Sequence, residues 1–181
     1  MKKIMFNDKY GLTQAVLEGR KTQTRRTFLK PGEENMLHDI TSEYLISVKS
    51  RYKVGETIAI AQPYADISPQ VDWVKCMIRK ETLGWNNKMF VRAEDMPHHI
   101  RITKIRIERL QDIKSEDCLK EGLWRAGDVG LEGTTYWYHG FANSSFRTPQ
   151  EAYASLIDNI SGKGTWASNP YVFVYEFELI N

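Results

Sequence analysis

Eight consecutive residues, Gly19-Arg20-Lys21-Thr22-Gln23-Thr24-Arg25-Arg26, gather four basic side chains and two hydroxyls. Guanidinium groups grip oxygen pairs in a fixed fork, so Arg26, with Arg25 and Arg20, is suited to a phosphate or to the edge of a base. The same composition fits a solvated edge strand, because lysine and arginine blunt sheet edges. Trp124, Tyr136, Trp137 and Trp166 have flat faces of the kind on which bases stack in single-strand binders. Such side chains also pack beneath long loops, and at least two of the four are expected to do so. The histidines carry less: His98 and His99 are adjacent and point opposite ways in a strand, while His38 and His139 have no partner at ligand spacing. Cys76 and Cys118 lie far apart without a CxxC pair, so they are expected to be reduced thiols of a cytoplasmic protein, with no metal and no cofactor.

The elements that must position these residues follow from periodicity. Ile4 to Phe6 is a short strand, and Asp8 can cap a helix whose apolar positions Leu12, Ala15 and Val16 share a stripe ending at Gly19. Residues 19–28 are polar and threonine-rich, which suits an extended segment that places Thr22, Thr24 and Arg26 on one face. Pro31 to Asn35 has loop composition. Strands are expected at YLISV (44–48), TIAIA (57–61) and VDWVKCMI (71–78), with turns at Val54-Gly55-Glu56 and GWNNK (84–88). In HIRITKIRIERL (99–110) the apolar parity switches between Ile102 and Ile105, as a β-bulge or a barrel corner requires. A helix capped near Ser115 ends at Glu121-Gly122, Pro149 opens another over QEAYASLIDNI with Ala152, Leu156, Ile157 and Ile160 near one stripe, and NPYVFVYEFELI closes the chain as an alternating strand. The sum is α+β, a twisted or barrel-like sheet with helices around it.

Composition sets the outer limits. The 181 residues, 41% hydrophobic and 27% charged, are ordinary for a globular chain long enough to bury roughly 70% of its unfolded surface. There is no run of eighteen apolar residues for a membrane span, and MKKIMFNDKYG turns polar too soon for a signal peptide. The 25 Lys+Arg against 23 Asp+Glu give +2, but residues 1–30 hold eight and two, leaving 17 and 21 for the rest. A net of +6 therefore surrounds the basic segment and −4 lies elsewhere. That distribution excludes broad coating of nucleic acid while allowing a local patch to guide an anionic ligand.

Gly19, Lys21, Thr24 and Arg26 fit the GxKxxTxR signature of ASCH domains, a branch of the PUA-like superfamily. YKVGE (52–56), RIERLQDIKSEDCLKEGL (106–123) and WASNPYVFVYEFELI (166–180) continue the resemblance in order, and four ordered blocks are more specific than one short motif. The chain resembles the phage-related bacterial branch of that family. The resemblance implies a single domain over 1–181, a small PUA-like β-barrel with flanking helices, carrying insertions at 62–98 and 123–148. It also implies RNA or a modified nucleoside as partner.

A small bacterial branch of the family hydrolyses the amide of N4-acetylcytidine with a lysine, a threonine and a glutamate. Carried over by motif, these are Lys21, Thr24 and Glu121, with Glu116 or Asp117 next in line if the helix register shifts by a turn. A hydroxyl beside a lysine can serve amide hydrolysis as nucleophile and base, as in Ser-Lys hydrolases. Glu121 would then orient Lys21 or shuttle protons. A carboxylate next to Lys21 favours the ammonium, so either burial must oppose it or Glu121 must carry the proton. Two rival readings remain: a Lys21–Glu121 ion pair of purely structural use, and a non-catalytic RNA-binding regulatory module of phage or prophage origin. Nuclease activity, associated with some ASCH proteins, lacks a metal cluster or histidine pair here.

Overall fold

Residues 1–29, 41–68, 70, 77–126, 133–140 and 145–180 are described by the computed structural model. Along the chain the strands are β1 (Lys2–Ile4), β2 (Gln23–Thr27), β3 (Thr57–Ile60), β4 (His99–Arg109), β5 (Trp124–Ala126), β6 (Thr135–Trp137) and β7 (Tyr171–Ile180). The main helices are α1 (Leu12–Leu17), α2 (Ser42–Lys49), α3 (Tyr64–Ile67), α4 (Ser115–Lys120), α5 (Pro149–Ser161) and α6 (Thr165–Ser168). Five strands form one sheet in the order β1-β3-β4-β7-β2, and β5 pairs with β6 apart from it. Only β1 and β3 run parallel in the large sheet.

The long strands β4 and β7 make the spine, and the parity switch in the sequence is a β-bulge between them. Ile100 and Ile102 pair with Leu179 and Phe177, the register slips between Ile102 and Lys104, and Ile105 and Ile107 then pair with Tyr175 and Phe173. One extra residue thus keeps all four isoleucines on the face of the β7 aromatics. That face contributes to the main core with Ile4, Phe6, Tyr52 and Ile58. The opposite face of β2, β4 and β7 carries Gln23, Arg25, Arg106, Glu108 and Glu176, and α4 and α5 lie over it.

Helix α5 is the best-defined element, with Pro149 in its first turn and a capping box in which the Thr148 hydroxyl accepts from the Glu151 N–H while the Glu151 carboxylate accepts from the Thr148 N–H. It buries Ala152, Tyr153 and Leu156. A smaller cluster of Ala59, Ala61, Tyr64, Ile67, Val91, Ala93 and Met96 packs the 62–98 segment on the outer side of β3.

Several expectations are corrected. Among the described residues the sheet is open, with β1 and β2 as its edges, so the architecture is α+β without the closed β-barrel expected from the sequence. The edges nevertheless approach: Arg26 on β2 donates through Nη2 to the Met5 carbonyl, just past β1, at 2.7 Å. A side chain bridges the seam where a barrel would need a backbone ladder. YLISV is not a strand but the body of α2, started by the Thr41 hydroxyl accepting from the Tyr44 N–H. This helix buries only Leu45, so it has no apolar stripe to betray it. GWNNK is spread over two 3₁₀ turns rather than a hairpin, and the N-cap of α4 is Lys114, not Ser115. The Pro31–Asn35 loop and nearly all of VDWVKCMI lie outside the described residues.

Deleting Thr103, the exposed residue at the bulge, forces one pair of isoleucines onto the polar face. Its unfolding free energy from urea titration should fall by several kcal/mol, on the order of a core truncation, whereas Thr103→Ala should stay within about 0.5 kcal/mol of wild type.

Candidate functional site

The basic segment is locked between three elements before it reaches β2. Helix α1 ends at Gly19, whose φ of 72° is open to glycine at little strain. Lys21 N–H then donates to the Ala15 carbonyl, Thr22 N–H to the Lys120 carbonyl at the end of α4, and Phe177 N–H to the Thr22 carbonyl, each at 2.9 Å. Gly122, directly after α4, has a φ of 101°. A Cβ there would lie 3.3 Å from Ala15 Cβ and Leu12 Cδ2 and 3.5 Å from Lys21 Cβ. The close approach that glycine permits delivers Glu121 to Lys21.

Lys21 Nζ donates to Glu121 Oε2 at 2.6 Å and to the Glu121 carbonyl at 2.9 Å. Arg25 Nη1 donates to the other carboxylate oxygen, Oε1, at 2.8 Å. These three residues are 2%, 4% and 5% exposed, so a two-cation, one-carboxylate cluster is buried with almost no access to water. It continues across the polar face: Arg25 also donates to Glu108 at 2.7 and 2.9 Å, and Arg106 pairs with Glu108, Asp117 and Glu176. Gln23 Nε2 donates to Asp117 at 3.0 Å and its carbonyl oxygen accepts from Arg25 at 3.3 Å. Arg25, Arg106, Lys21 and Lys120 face Glu108, Asp117, Glu121 and Glu176, so every charge in the network has an opposite.

Burial pushes the Lys21 amine below the usual lysine range, opposed by Glu121 and reinforced by Arg25 and Arg26. Burial also disfavours the Arg25 cation, but Glu121 and Glu108 outweigh it and hold the guanidinium charged. The buried Cys118 thiol beside this network is pushed up to about 12 by desolvation, which leaves it inert as a nucleophile.

Lys21, Thr24, Arg25, Arg26 and Glu121 line one cavity of about 720 Å³, within the range of small-molecule sites. Leu110, Leu156, Ile157, Ile160 and Val172 supply apolar wall, and Asp8 and Lys88, paired at 2.6 Å, part of the rim. Lys88 comes from the 62–98 segment, which therefore contributes to the cavity. The Thr24 hydroxyl makes no hydrogen bond with any described residue, although Thr24 is 4% exposed. Glu121 meets Lys21, whereas Asp117 is taken by Gln23, Arg106 and Lys120.

The three arginines part company. Arg26 lines the cavity and has donors beyond the one given to Met5. Arg25 is held inside the protein by carboxylates. Arg20 lies outside the cavity, pairs with Glu18 at 2.7 Å and stacks its guanidinium 3.7 Å from the centre of Trp124. The aromatics behave mainly as packing: Trp124 stacks on Trp137 at 5.4 Å, Tyr136 sits in β6, and Trp166 meets Tyr153 edge-on. Among the described residues no cluster of three His, Cys, Asp or Glu could hold a metal, and no helix is long and apolar enough to cross a membrane.

Sequence reasoning missed Tyr153. It is 2% exposed on the inner face of α5 and lines the cavity, and its hydroxyl has no hydrogen-bond partner among the described residues. Desolvation, then the nearby Glu121, raise its pKa well above that of an ordinary tyrosine, so the phenol keeps its proton. The only sequence signal was its place beside the apolar stripe of α5, where an aromatic ring looks like core.

No family model matches this sequence, and no curated protein matches it. Among solved structures it is similar to the crystal structure of protein EF3133 from Enterococcus faecalis V583, described as family-model DUF984. That likeness has 15% identity and a TM-score of 0.43 over 99% of this chain and 80% of the other.

Glu121→Gln leaves two buried cations facing a neutral amide. It should lower stability in urea by about 3–5 kcal/mol; a loss under 1 kcal/mol would show that the cluster is neither dry nor coupled.

Proposed function

We propose that this chain is an ASCH-type, PUA-like protein that binds a modified pyrimidine nucleoside, free or within RNA, and hydrolyses its acyl-amide, with N4-acetylcytidine as the prototype. The observation that carries this reading is the combination, around one cavity, of a buried Lys21–Glu121 pair and two cavity-lining hydroxyls, Thr24 and Tyr153, that have no hydrogen-bond partner among the described residues. Both hydroxyls line the cavity, where a ligand that enters it can bond to them. The curled sheet with flanking helices supports the PUA-like assignment.

The chemistry follows from the donors. Lys21 gives two N–H bonds to Glu121; as a neutral amine it retains a lone pair for a third direction, and burial favours that neutral form. Thr24 Oγ attacks the acyl carbonyl carbon and its proton passes to Lys21. Tyr153 donates to the carbonyl oxygen as charge develops there. The C–N bond breaks as the exocyclic nitrogen takes the proton from Lys21, and water then cleaves the threonine ester to release the carboxylic acid. Glu121 stabilises the transient ammonium, and Arg25 holds Glu121 in place. No metal is needed for these steps.

A second reading has its own support. Lys21 gives two hydrogen bonds to Glu121, as in a purely structural ion pair, and a non-catalytic RNA-binding module needs no more than that. Deacetylation of N4-acetylcytidine separates the two. Wild type should turn over; Thr24→Ala and Lys21→Ala should lose activity at least 10²-fold. No turnover by a folded wild type that binds RNA in a steeply salt-dependent manner would favour the module instead.

Two further outcomes are specific to the geometry. Tyr153→Phe should reduce kcat by roughly 10²-fold while leaving the melting temperature nearly unchanged, because its hydroxyl has no partner to lose. The kcat/KM profile should rise with pH as Lys21 loses its proton, with a midpoint below the ordinary lysine value of about 10.4; a profile flat through that region would remove Lys21 as the base.

A further inference from the structure

A second cavity of about 390 Å³ opens on the other side of Arg26. It shares Met5, Arg26 and Thr27 with the first, so the two cavities adjoin at the seam between β1 and β2. Its cations are Lys3, Arg26, Lys49 and Arg51, and no aspartate or glutamate lines it. Lys49 and Arg51 form no ion pair among the described residues, and the neighbouring Glu56 is held by Lys2 at 3.0 Å. Lys3 is anchored on the Met89 and Val91 carbonyls at 2.8 and 2.6 Å, neutral acceptors that leave its charge uncompensated. Tyr52, Phe28, Phe173 and Tyr175 form the walls.

The segment bearing the cations is fixed in advance. The Tyr175 hydroxyl lies 3.1 Å from Ser50 Oγ and accepts from the Arg51 N–H at 3.3 Å, and the Tyr52 hydroxyl donates to the Lys3 carbonyl at 3.4 Å. Arg26 is fastened to the Met5 carbonyl at the junction of the two cavities, with further donors unused. Uncompensated cations around a partly enclosed space concentrate positive potential, and guanidinium forks match phosphate oxygens. The main cavity differs: Glu121 and Asp8 already answer much of its positive charge.

We propose that this annex is a phosphate subsite, so that the ligand spanning the two adjoining cavities is a phosphorylated pyrimidine, with its base in the first cavity and its phosphate against Arg26, Arg51 and Lys49. The inference rests on the nucleoside reading for the first cavity but makes no use of the hydrolytic step. The phosphate can belong to a free nucleotide or to an RNA strand.

Calorimetric titration with cytidine, cytidine 5′-monophosphate and a short single-stranded cytidine oligoribonucleotide tests it, at low and at physiological salt. The monophosphate should bind at least 10-fold more tightly than cytidine at low salt, and the advantage should shrink as salt rises. Lys49→Gln/Arg51→Gln should bring the monophosphate close to cytidine, while Arg101→Gln, an exposed cation outside both cavities, should leave the advantage intact. A further tenfold gain with the oligonucleotide and a steeper salt slope would identify the source as RNA; equal affinity would identify the free nucleotide. Equal binding of cytidine and its monophosphate, or an advantage that survives the double substitution, overturns the annex. A phosphate advantage without deacetylation of N4-acetylcytidine keeps the annex and sinks the hydrolytic reading, and no binding of any of the three sinks both.

Discussion

The two-cation clamp on Glu121 is the constraint around which the rest of this structure is arranged. Removing a carboxylate, an ammonium and a guanidinium from water is costly, and their mutual attraction offsets that cost only when each arm is in place. Lys21 precedes β2, Arg25 lies within it, and Glu121 closes α4 about a hundred residues later. The clamp therefore ties the N-terminal segment to the β4–α4 unit. Its geometry in turn depends on the backbone bonds from Lys21 to Ala15 and Thr22 to Lys120, and on a glycine at 122. A buried ion cluster is weak evidence for stability as such. At the wall of the cavity it also sets which charge state Lys21 favours.

That effect has two opposing parts. Burial favours the neutral amine and Glu121 favours the ammonium, with burial the larger. The polar face of the sheet sets the balance, because Arg25 takes half of the Glu121 carboxylate and so limits what that carboxylate can return to Lys21. Arg25 can do this because Glu108, and more distantly Asp117, hold its other donors. Arg25 and Arg106 flank Val174 on adjacent strands, each paired with it in register. The register of three strands therefore reaches the amine through two shared carboxylates, and the bulge at Thr103 sets that register.

Local signals were legible wherever one residue type or one period decided the outcome. The parity of four isoleucines located the bulge, the alternating aromatics located β7, and Pro149 with an apolar stripe located α5. The meeting of Lys21 with Glu121 came from a motif and not from periodicity. What the sequence hid depended on contacts between distant segments. Arg25 looked like a free guanidinium because its partners lie 83 to 96 positions away. Tyr153 is silent in the sequence because an aromatic ring beside an apolar stripe carries no mark of lining a cavity. Helix α2 looked like a strand because a helix that buries a single leucine has no stripe, and short β-branched and aromatic runs are ambiguous between the two states.

Charge gives the sharpest contrast between composition and structure. The +6 of residues 1–30 suggests a basic patch centred on the motif, yet much of that charge is answered within the protein. Lys21 and Arg25 are clamped on Glu121, Arg20 is on Glu18, and Lys2 is on Glu56. Arg26 stays open to a ligand because its anchor is the neutral Met5 carbonyl. The uncompensated cations beside it come from the end of α2, Lys49 and Arg51, where net charge along the sequence gave no sign of them. Positive potential in this molecule is therefore set by which cations lack a carboxylate partner, and the curl that brings the β1 and β2 edges together places those cations beside the cavity.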